Sequence, residues 1–392
     1  MFKNYIRSAL RSFLRNKAAS CINVLGLSIG ISAALIIFML VAYDYSFDRW
    51  EPENNRIYRI VSQGDGWKNS GVPAPLPRAF ARNSAGIQTV TVITQYKDWN
   101  TKVTVPGGGG APLVLNKERR IVFADSSYFS IFPHVWLEGS AAGSLREPGR
   151  LVLTESRARL YFPGVPVSKL VGRTVVFSDT LLTTVAGVVK DLGANSDFAF
   201  GAFISSATMD KPGLRAEYLP DNWDFVNSWT IGFVKLFPGV APGAVEKQLA
   251  AVFHSHVGES KDVHRLQALS EIHTSVEFDG KVNMQTVRNL ILLAVFLLVL
   301  GAINFINLST AHAAERAKEI GIRKTLGGQK GQLIVQFLSE TFVLTLIAAV
   351  VSVLMAPLLL RVFSGFMPEG LKFDRFMVQP MVWGFCCCSS WW

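Results

Sequence analysis

The chain has 392 residues, of which 49% are hydrophobic and 17% are charged, and its formal net charge is +10. This composition indicates a membrane protein with a large water-exposed part, and it excludes a chain made only of membrane spans. Cys21 is the only cysteine before position 386, which excludes a disulfide framework for the middle of the chain. The positive charge does not require nucleic acid, because basic residues also collect on the cytoplasmic side of membrane proteins.

Residues 1–17 predict a cytoplasmic amphipathic helix. Apolar residues recur there at helical spacing, beside a basic face formed by Lys3, Arg7, Arg11 and Arg15. A helix of this kind lies on anionic lipid headgroups, so we expect these four basic residues at the membrane interface. The alternative is a basic flank that only sets the membrane topology.

Three long apolar runs predict transmembrane helices at residues 18–43, 288–311 and 333–360. Each run reaches the roughly 20 residues that cross a bilayer. The first is also longer than the apolar part of a signal peptide, so we interpret it as an uncleaved anchor. It contains small residues that let another helix approach closely, namely Gly26, Ser28, Gly30 and Ser32.

Residues 44–287 predict a large α+β domain outside the cytoplasm. Short β-like runs such as "RIYRIVSQ" and "WTIGFVKLF" are separated by clusters of Gly, Pro, Asn and Asp, and helical patterns lie between them. Strands and helices that mix without strict βα alternation favour the α+β class.

Motifs that would indicate an enzyme or a metal site are missing from the sequence. Neither a phosphate-binding G-x-x-x-x-G-K-[ST] loop nor a G-x-S-x-G turn occurs. His254 and His256 do not share a helix face, and His264 completes no convincing ligand set. We therefore expect no enzymatic activity, no cofactor and no bound metal.

The stretch "AAERAKEIGIRKTLGG" (residues 313–328) lies in a predicted cytoplasmic loop, residues 312–332. Glu319 and Arg323 are spaced for a favourable pair on a helix, and the two glycines at the end are typical of a helix terminus. So short a helix is unstable alone. It either docks Ile320 and Ile322 into a groove on a partner or remains a solvated, topology-setting loop.

Charge on the flanks sets the predicted orientation. The basic segments 1–17 and 312–332 belong in the cytoplasm, and the large domain belongs on the other side. Residues 361–392 predict an outside segment and an incomplete fourth span. We interpret the Cys- and Trp-rich ending as a truncated or frame-shifted product, with a lipid-modified tail as the alternative.

Two segments, "NFINLSTAHAAERAKEIGIRKTLGG" and "QLIVQFLSETFVLTLIA", resemble the FtsX/MacB-type permeases of ABC transporters, particularly the large Bacteroidetes-type members. "RSALRSFLRNKAASCINVLGLSIGISAALI" is similar to the family's entry helix and first span. "VVKDLGANSDFAFGAFIS" and "LQALSEIHTS" are similar to pieces of its extracytoplasmic domain. The resemblance implies α-helical transmembrane spans with a large α+β extracytoplasmic domain, the MacB-like periplasmic core.

The same resemblance implies how the chain works. It places ATPase-coupling positions at Lys318, Glu319, Ile320, Gly321, Arg323 and Lys324. The implied partners are an ATP-binding subunit, the lipid membrane and a second permease in a homodimer or heterodimer, without nucleic acid. The implied location is the bacterial inner membrane, with a cytoplasmic N-terminus and a periplasmic large domain.

We expect a permease of the mechanotransmission type that exports or extracts an amphiphilic substrate such as an antibiotic, a peptide or a lipoprotein. Two alternatives stay open. One is a non-transporting signalling protein that controls an extracytoplasmic partner such as a cell-wall hydrolase. The other is a non-functional fragment.

Overall fold

The computed structural model describes residues 17–96, 101–107, 110–193, 195–325, 330–368 and 371. The chain divides into two compact units. One is the sheet unit, Ser46–Asn283; the other, the helical unit, comprises the segments before Ser46 and after Asn283. The predicted amphipathic helix of residues 1–17, except for Lys17, and the tail from residue 372 onward lie outside the described residues.

Among the described residues the chain forms nine α-helices and thirteen strands. The helices are α1 (Lys17–Tyr45), α2 (Leu76–Asn83), α3 (Tyr128–Ile131), α4 (Ala141–Ser144), α5 (Glu155–Tyr161), α6 (Pro212–Tyr218), α7 (Pro242–Val257), α8 (Met284–Thr325) and α9 (Lys330–Val362). The strands are β1 (Ile57–Gly64), β2 (Trp67–Asn69), β3 (Ile87–Gln95), β4 (Thr101–Val105), β5 (Leu113–Glu118), β6 (Ile121–Ala124), β7 (Trp136–Glu138), β8 (Arg150–Thr154), β9 (Thr174–Phe177), β10 (Leu181–Val189), β11 (Ala202–Ser205), β12 (Thr230–Leu236) and β13 (Val263–Ala268).

The helical unit contains three helices that are long and apolar enough to cross a membrane. Their apolar stretches are Ser20–Tyr45, Met284–Asn307 and Leu338–Val362. Each exceeds the roughly 20 residues that a bilayer core requires. These stretches coincide within a few residues with the three runs that the sequence predicts as spans.

Helix α1 packs against both α8 and α9. A side chain added at Gly30 would place its Cβ only 3.1 Å from the Leu297 carbonyl oxygen of α8, so the two backbones approach closely. On the other flank, Ser32 Oγ lies 2.6 Å from the Ser28 carbonyl and 3.2 Å from the Ser352 carbonyl of α9. The small residues therefore serve close helix packing, as the sequence predicts.

A single mixed sheet organises the sheet unit. Its order is β13-β1-β12-β3-β6-β11-β8-β10-β9-β4-β5, with β2 added beside β1 and β7 beside β10. The pairs β6/β11 and β8/β10 are parallel and the other pairs are antiparallel. The two halves of the sheet meet where β3 pairs with β6, with Thr94 opposite Phe123 and Gln95 opposite Val122.

Apolar side chains form one buried core for each half of the sheet and a third core near the middle. In the middle core the rings of Phe132, Phe198 and Phe233 pack together, with Phe198 and Phe233 edge to face at 4.7 Å. The amphipathic helices α2 and α7 cover the half that contains β1, β12 and β13. This arrangement of helices on a mixed sheet confirms the predicted α+β class.

The charged stretch after the second span is part of a longer helix. The sequence predicts a short helix in the loop 312–332, but α8 continues without a break from the span through Thr325. The physical reason is that a helix already formed adds further turns at little cost, whereas a separate short helix has to nucleate. The glycines that the sequence suggests as its end, Gly327 and Gly328, lie outside the described residues.

Candidate functional site

The segment that directly follows α1 in the chain is anchored by Asp48. The Asp48 side chain is buried, and its carboxylate accepts hydrogen bonds from Ser196 Oγ and, at 3.3 Å, from the Asp197 backbone N–H. The Asp48 backbone N–H donates to the Asn195 carbonyl at 3.0 Å. Asn195 Nδ2 in turn donates to Ser46 Oγ at 2.7 Å. Residues 46–48 are thereby fixed to the loop between β10 and β11.

The segment that leads into α8 reaches the same loop through Asp197. His273 Nδ1 lies 2.8 Å from Asp197 Oδ2, and Lys281 Nζ lies 2.7 Å from Asp197 Oδ1. The ring of Phe47 stacks on the ring of His273, with centroids 3.7 Å apart and planes 12° apart. The segments 46–48, 195–198 and 273–281 therefore form one cluster, which we call the buried junction.

Arg59 of β1 lies next to the buried junction. Its guanidinium donates to Gln267 Oε1 at 2.6 Å and to the Phe278 carbonyl at 2.8 Å. Burial lowers the pKa of Arg59 to about 10, against the attraction of Asp279 and other nearby carboxylates, so the group stays charged at neutral pH. The hydrogen bonds to Gln267 and Phe278 compensate the cost of burying that charge.

The two carboxylates of the buried junction have opposite pKa shifts. Burial raises the pKa of Asp48 from 3.8 to about 6, although its hydrogen bonds with Ser196 and Asp197 oppose the rise. Burial acts in the same direction on Asp197, but contacts with His273 and Lys281 outweigh it and hold the pKa of Asp197 below its usual value. Near neutral pH the cluster thus holds one well-paired carboxylate and one that is costly to ionise.

The buried junction holds together the two ends of the sheet unit's chain. Asp48 lies three residues after the end of α1, and Lys281 lies three residues before the start of α8. In the helical unit, the Tyr45 hydroxyl contacts Met284 Sδ at 3.3 Å and so joins the same two helix ends. Charge-assisted hydrogen bonds are stronger than neutral ones, so the cluster ties both chain segments firmly to the loop 195–198.

The histidines that the sequence singles out have separate structural roles. His254 Nδ1 lies 3.1 Å from the Gly258 carbonyl, His256 stacks on Trp223 with centroids 4.0 Å apart, and His264 Nδ1 lies 2.9 Å from Ser62 Oγ. Across the part of the chain that the structure describes, no group of three or more His, Cys, Asp or Glu residues is placed to hold a metal ion.

The predicted coupling positions all fall on α8. Their backbone is helical from Lys318 to Lys324. Gly321 and Ile322 are exposed, and a Cβ added at Gly321 would meet no atom within 4 Å. The side chains of the other coupling positions, and all of Lys3, Arg7, Arg11 and Arg15, lie outside the described residues.

No motif in the sequence predicts the buried junction. Its members are separated by up to about 230 positions, and none belongs to a motif with a known spacing. A signal is nevertheless present: Asn195–Asp197 and His273 lie within "VVKDLGANSDFAFGAFIS" and "LQALSEIHTS", the two segments that carry the family resemblance in this domain.

Comparison with known proteins places most of the chain in two family models. Residues 20–252 match the MacB-like periplasmic core domain, and residues 291–386 match the FtsX-like permease C-terminal region. The first match begins inside α1 and covers most of the sheet unit. The second covers most of α8, all of α9 and the segment beyond it.

Individual relatives agree with these matches. The permease YknZ of Bacillus subtilis is 24% identical over 89% of this chain and 84% of its own length. The macrolide export ATP-binding/permease protein MacB of Neisseria gonorrhoeae is 22% identical over 99% of this chain, which spans 57% of that protein. A domain of a Porphyromonas gingivalis permease of known structure is 21% identical, covers 55% of this chain and 92% of its own, and superposes with a TM-score of 0.45. The family matches establish that the chain belongs to the FtsX/MacB-type permease family of ABC transporters.

Proposed function

We propose that this permease couples ATP hydrolysis by an ATP-binding partner subunit to movement of the sheet unit, for export or extraction of an amphiphilic substrate. The substrate is an antibiotic, a peptide or a lipoprotein in this proposal. The relatives support it, because one is described as a macrolide export ATP-binding/permease protein and another as an ABC transporter permease.

The continuity of α8 carries the proposal. The helix has 42 residues, and at a rise of 1.5 Å per residue it is about 63 Å long. The hydrocarbon core of a bilayer is only about 30 Å thick, so a span accounts for about half of the helix. The remaining turns hold the coupling positions in rigid continuity with Met284, three residues after Lys281 of the buried junction. A push on one end of α8 therefore reaches the other end without an intervening flexible loop.

Each coupling position has a role in this proposal. Ile320 enters an apolar groove on the ATP-binding subunit, and Gly321 lets the two surfaces approach closely. Lys318, Glu319, Arg323 and Lys324 form the charged rim that orients the contact. An apolar anchor within a charged rim is the usual composition of a helix that docks in a groove.

The proposed topology follows from the charged flanks. The N-terminus and the coupling positions lie in the cytoplasm of a bacterial cell, and the sheet unit lies outside the inner membrane. Lys3, Arg7, Arg11 and Arg15 rest on anionic headgroups in this arrangement. Two permease chains pair so that each engages one ATP-binding subunit.

The test is affinity co-purification from detergent-solubilised membranes, with bound proteins identified by mass. The native chain is compared with the double variant Ile320→Asp, Glu319→Lys, which removes the anchor and reverses one rim charge. We expect a nucleotide-binding ATPase to co-purify with the native chain. With the variant, the amount of co-purified ATPase should fall at least about tenfold.

A matched control makes the same chemical changes on the surface of the sheet unit, with Val135→Asp and Glu259→Lys. Val135 is 64% exposed and Glu259 is also exposed, so the control keeps the fold and should retain the ATPase. Absence of any ATPase from well-expressed native chain would overturn the proposal. A stable extracytoplasmic protein in its place would favour the signalling alternative.

A further inference from the structure

A cavity of about 420 Å³ lies in the sheet unit, at the seam between the two halves of the sheet. Gln95 and Ile121, which border it, belong to β3 and β6, the two strands that join the halves. Small-molecule sites in proteins have volumes of about 300–1,000 Å³. The cavity is therefore large enough for a compact organic ligand.

The lining combines aromatic surface with positive charge. Tyr96, Phe200 and Trp229 provide the rings, and Arg119, Arg120 and Lys281 provide the cations. Rings offer an apolar wall for the body of a ligand, and guanidinium groups bind carboxylate or phosphate oxygens through two parallel hydrogen bonds. The lining thus suits a ligand with both an apolar body and an anionic group.

The charge balance of the lining favours an anion. Both carboxylates that border the cavity are neutralised by protein groups: Glu118 pairs with Arg157, and Asp197 pairs with Lys281 and His273. Within the described ranges of the chain, the side chains of Arg119 and Arg120 make no ion pair, and both residues are exposed. Among the described residues, Arg119 and Arg120 are therefore two cations at the cavity without a carboxylate partner.

The backbone that presents these arginines is held in place. The Arg119 carbonyl accepts from Arg157 Nη2 at 3.1 Å, and the Arg120 carbonyl accepts from the Gly201 N–H at 2.9 Å. Arg120 has φ +61°, a left-handed conformation that is unfavourable for a residue with a side chain. Backbone conformations of this kind persist where the surrounding structure enforces them, and they concentrate at ligand sites.

We propose that this cavity binds an organic anion with an aromatic or acyl body, its carboxylate or phosphate held by Arg119 and Arg120. The cavity shares Asp197 and Lys281 with the buried junction. A bound anion competes with Asp197 for Lys281 and so loosens one of the contacts that hold the segment leading into α8. That this ligand is the transported substrate, or a signal for transport, rests on the proposed function; binding itself does not.

The experiment measures binding to the full chain in lipid nanodiscs by calorimetry, with empty nanodiscs as the blank for partition into lipid. The probe is 2-naphthoate, an aromatic carboxylate, and the comparison is its neutral analogue 2-naphthamide. We expect saturable binding of 2-naphthoate that weakens as NaCl is raised, and at least about tenfold weaker binding of the amide.

The double variant Arg119→Gln, Arg120→Gln should weaken 2-naphthoate binding at least about tenfold. The matched control, Arg82→Gln with Arg146→Gln, removes two exposed arginines that do not line the cavity and should bind like the native chain. Unchanged thermal unfolding of both variants shows that folding is intact. No saturable binding by the native chain, equal binding by both variants, or equal binding of acid and amide would overturn the proposal.

The outcome is independent of the ATP-binding subunit, which is absent from the assay. Binding that depends on the arginines supports the cavity even if no ATPase co-purifies with the chain. Conversely, a failure of 2-naphthoate to bind would not change the result of the co-purification test. The two proposals therefore fail separately.

Discussion

The helical unit and the sheet unit use apolar side chains in opposite ways. In the sheet unit, rings such as Phe203 are fully buried and pack against other rings, with centroids 5.0 Å from Tyr128 and 5.2 Å from Phe129. In the helical unit, many of the large side chains are exposed: Leu354 is 72% exposed and Leu292 is 67% exposed. In water the second pattern would be unfavourable, whereas lipid solvates those side chains. The surrounding solvent therefore determines what burial contributes to the stability of each unit.

Polar groups show the same contrast. In the helical unit, the hydroxyls of Ser28, Ser32 and Ser352 donate to backbone carbonyls, so neutral groups are satisfied locally. In the sheet unit, the buried junction brings carboxylates together with an imidazole and an ammonium group. Buried charge of this kind costs stability unless its partners are kept, which makes it sensitive to pH and to substitution.

The largest expected effect is on the aromatic core of the sheet unit. Phe203→Ala removes a fully buried ring, and we expect it to lower the free energy of unfolding of this unit by about 3–5 kcal/mol. Hydrogen exchange followed peptide by peptide should show lost protection in the sheet unit and unchanged protection in α1, α8 and α9. The control Leu182→Ala, at a side chain that is 59% exposed, should change little. Equal loss of protection in both units would remove the distinction between them.

The next effect concerns pH and Asp48. Because the pKa of Asp48 is raised in the folded state, its stabilising contribution is fully present below about pH 3.8 and is lost as pH rises through about 6. A rise of about 2 pKa units corresponds to about 3 kcal/mol. The Asp48→Asn variant cannot ionise at this position, so it should lack this loss between pH 4 and pH 7.

The measurement is denaturant unfolding of the native chain and the Asp48→Asn variant across that pH range. His264, whose pKa burial lowers to about 4, contributes stability above pH 6.5 that is lost as pH falls, but it titrates in both proteins. Asp197, whose pKa is lowered, likewise titrates in both. The difference between the two curves therefore reports Asp48 together with its electrostatic coupling to Asp197 and His273. A difference that does not vary with pH would contradict the raised pKa.

A smaller effect tests close helix packing. A Cβ at Gly30 would lie 3.1 Å from the Leu297 carbonyl, so Gly30→Ala forces α1 and α8 apart and should cost about 1–3 kcal/mol. A Cβ at Gly301 would lie 3.6 Å from Leu27 Cδ1, which is ordinary contact, so Gly301→Ala should be nearly neutral. Both changes add the same helix propensity. Unfolding of the two variants in bicelles gives the comparison, and equal values would mean that the glycines do not set the packing.

The elements of the fold that the sequence predicts well have a strong local pattern. The three spans have the apolar length that a bilayer requires, and the runs at β1 and β12 have the residue composition of strands. The weakly patterned elements are missed, among them β2 with three residues and the edge strand β5, "LVLNKE", in which polar residues follow the first three. An edge strand has one partner only, so its composition is less constrained by burial.

The candidate site is predictable from the sequence only in part. The coupling positions follow one another in sequence, so a resemblance over a few residues is enough to suggest them. The buried junction depends on contacts between Asp48, Asp197 and His273, which lie far apart along the chain. Their burial and mutual pKa effects are properties of the folded sheet unit, and spacing in the sequence contains no information on them. The continuation of α8 through the coupling positions is missed for a related reason: the sequence predicts a separate short helix in the loop 312–332, whereas the adjoining span extends through it without a break.

The smallest expected effect is on the exposed face of α9. Leu354→Ala shortens a side chain that is 72% exposed. Because lipid tails are as apolar as leucine, this side chain adds little to the packing of the helices. We expect a change of no more than about 0.5 kcal/mol in bicelle unfolding, on the scale that insertion of a single apolar residue suggests. The comparison is Leu35→Ala, because Leu35 is 1% exposed and packs beside Met39 and Ala356, so its removal leaves a cavity and should cost at least about 1 kcal/mol. A cost at Leu354 as large as that at Leu35 would mean that a protein surface, rather than lipid, covers this face of α9.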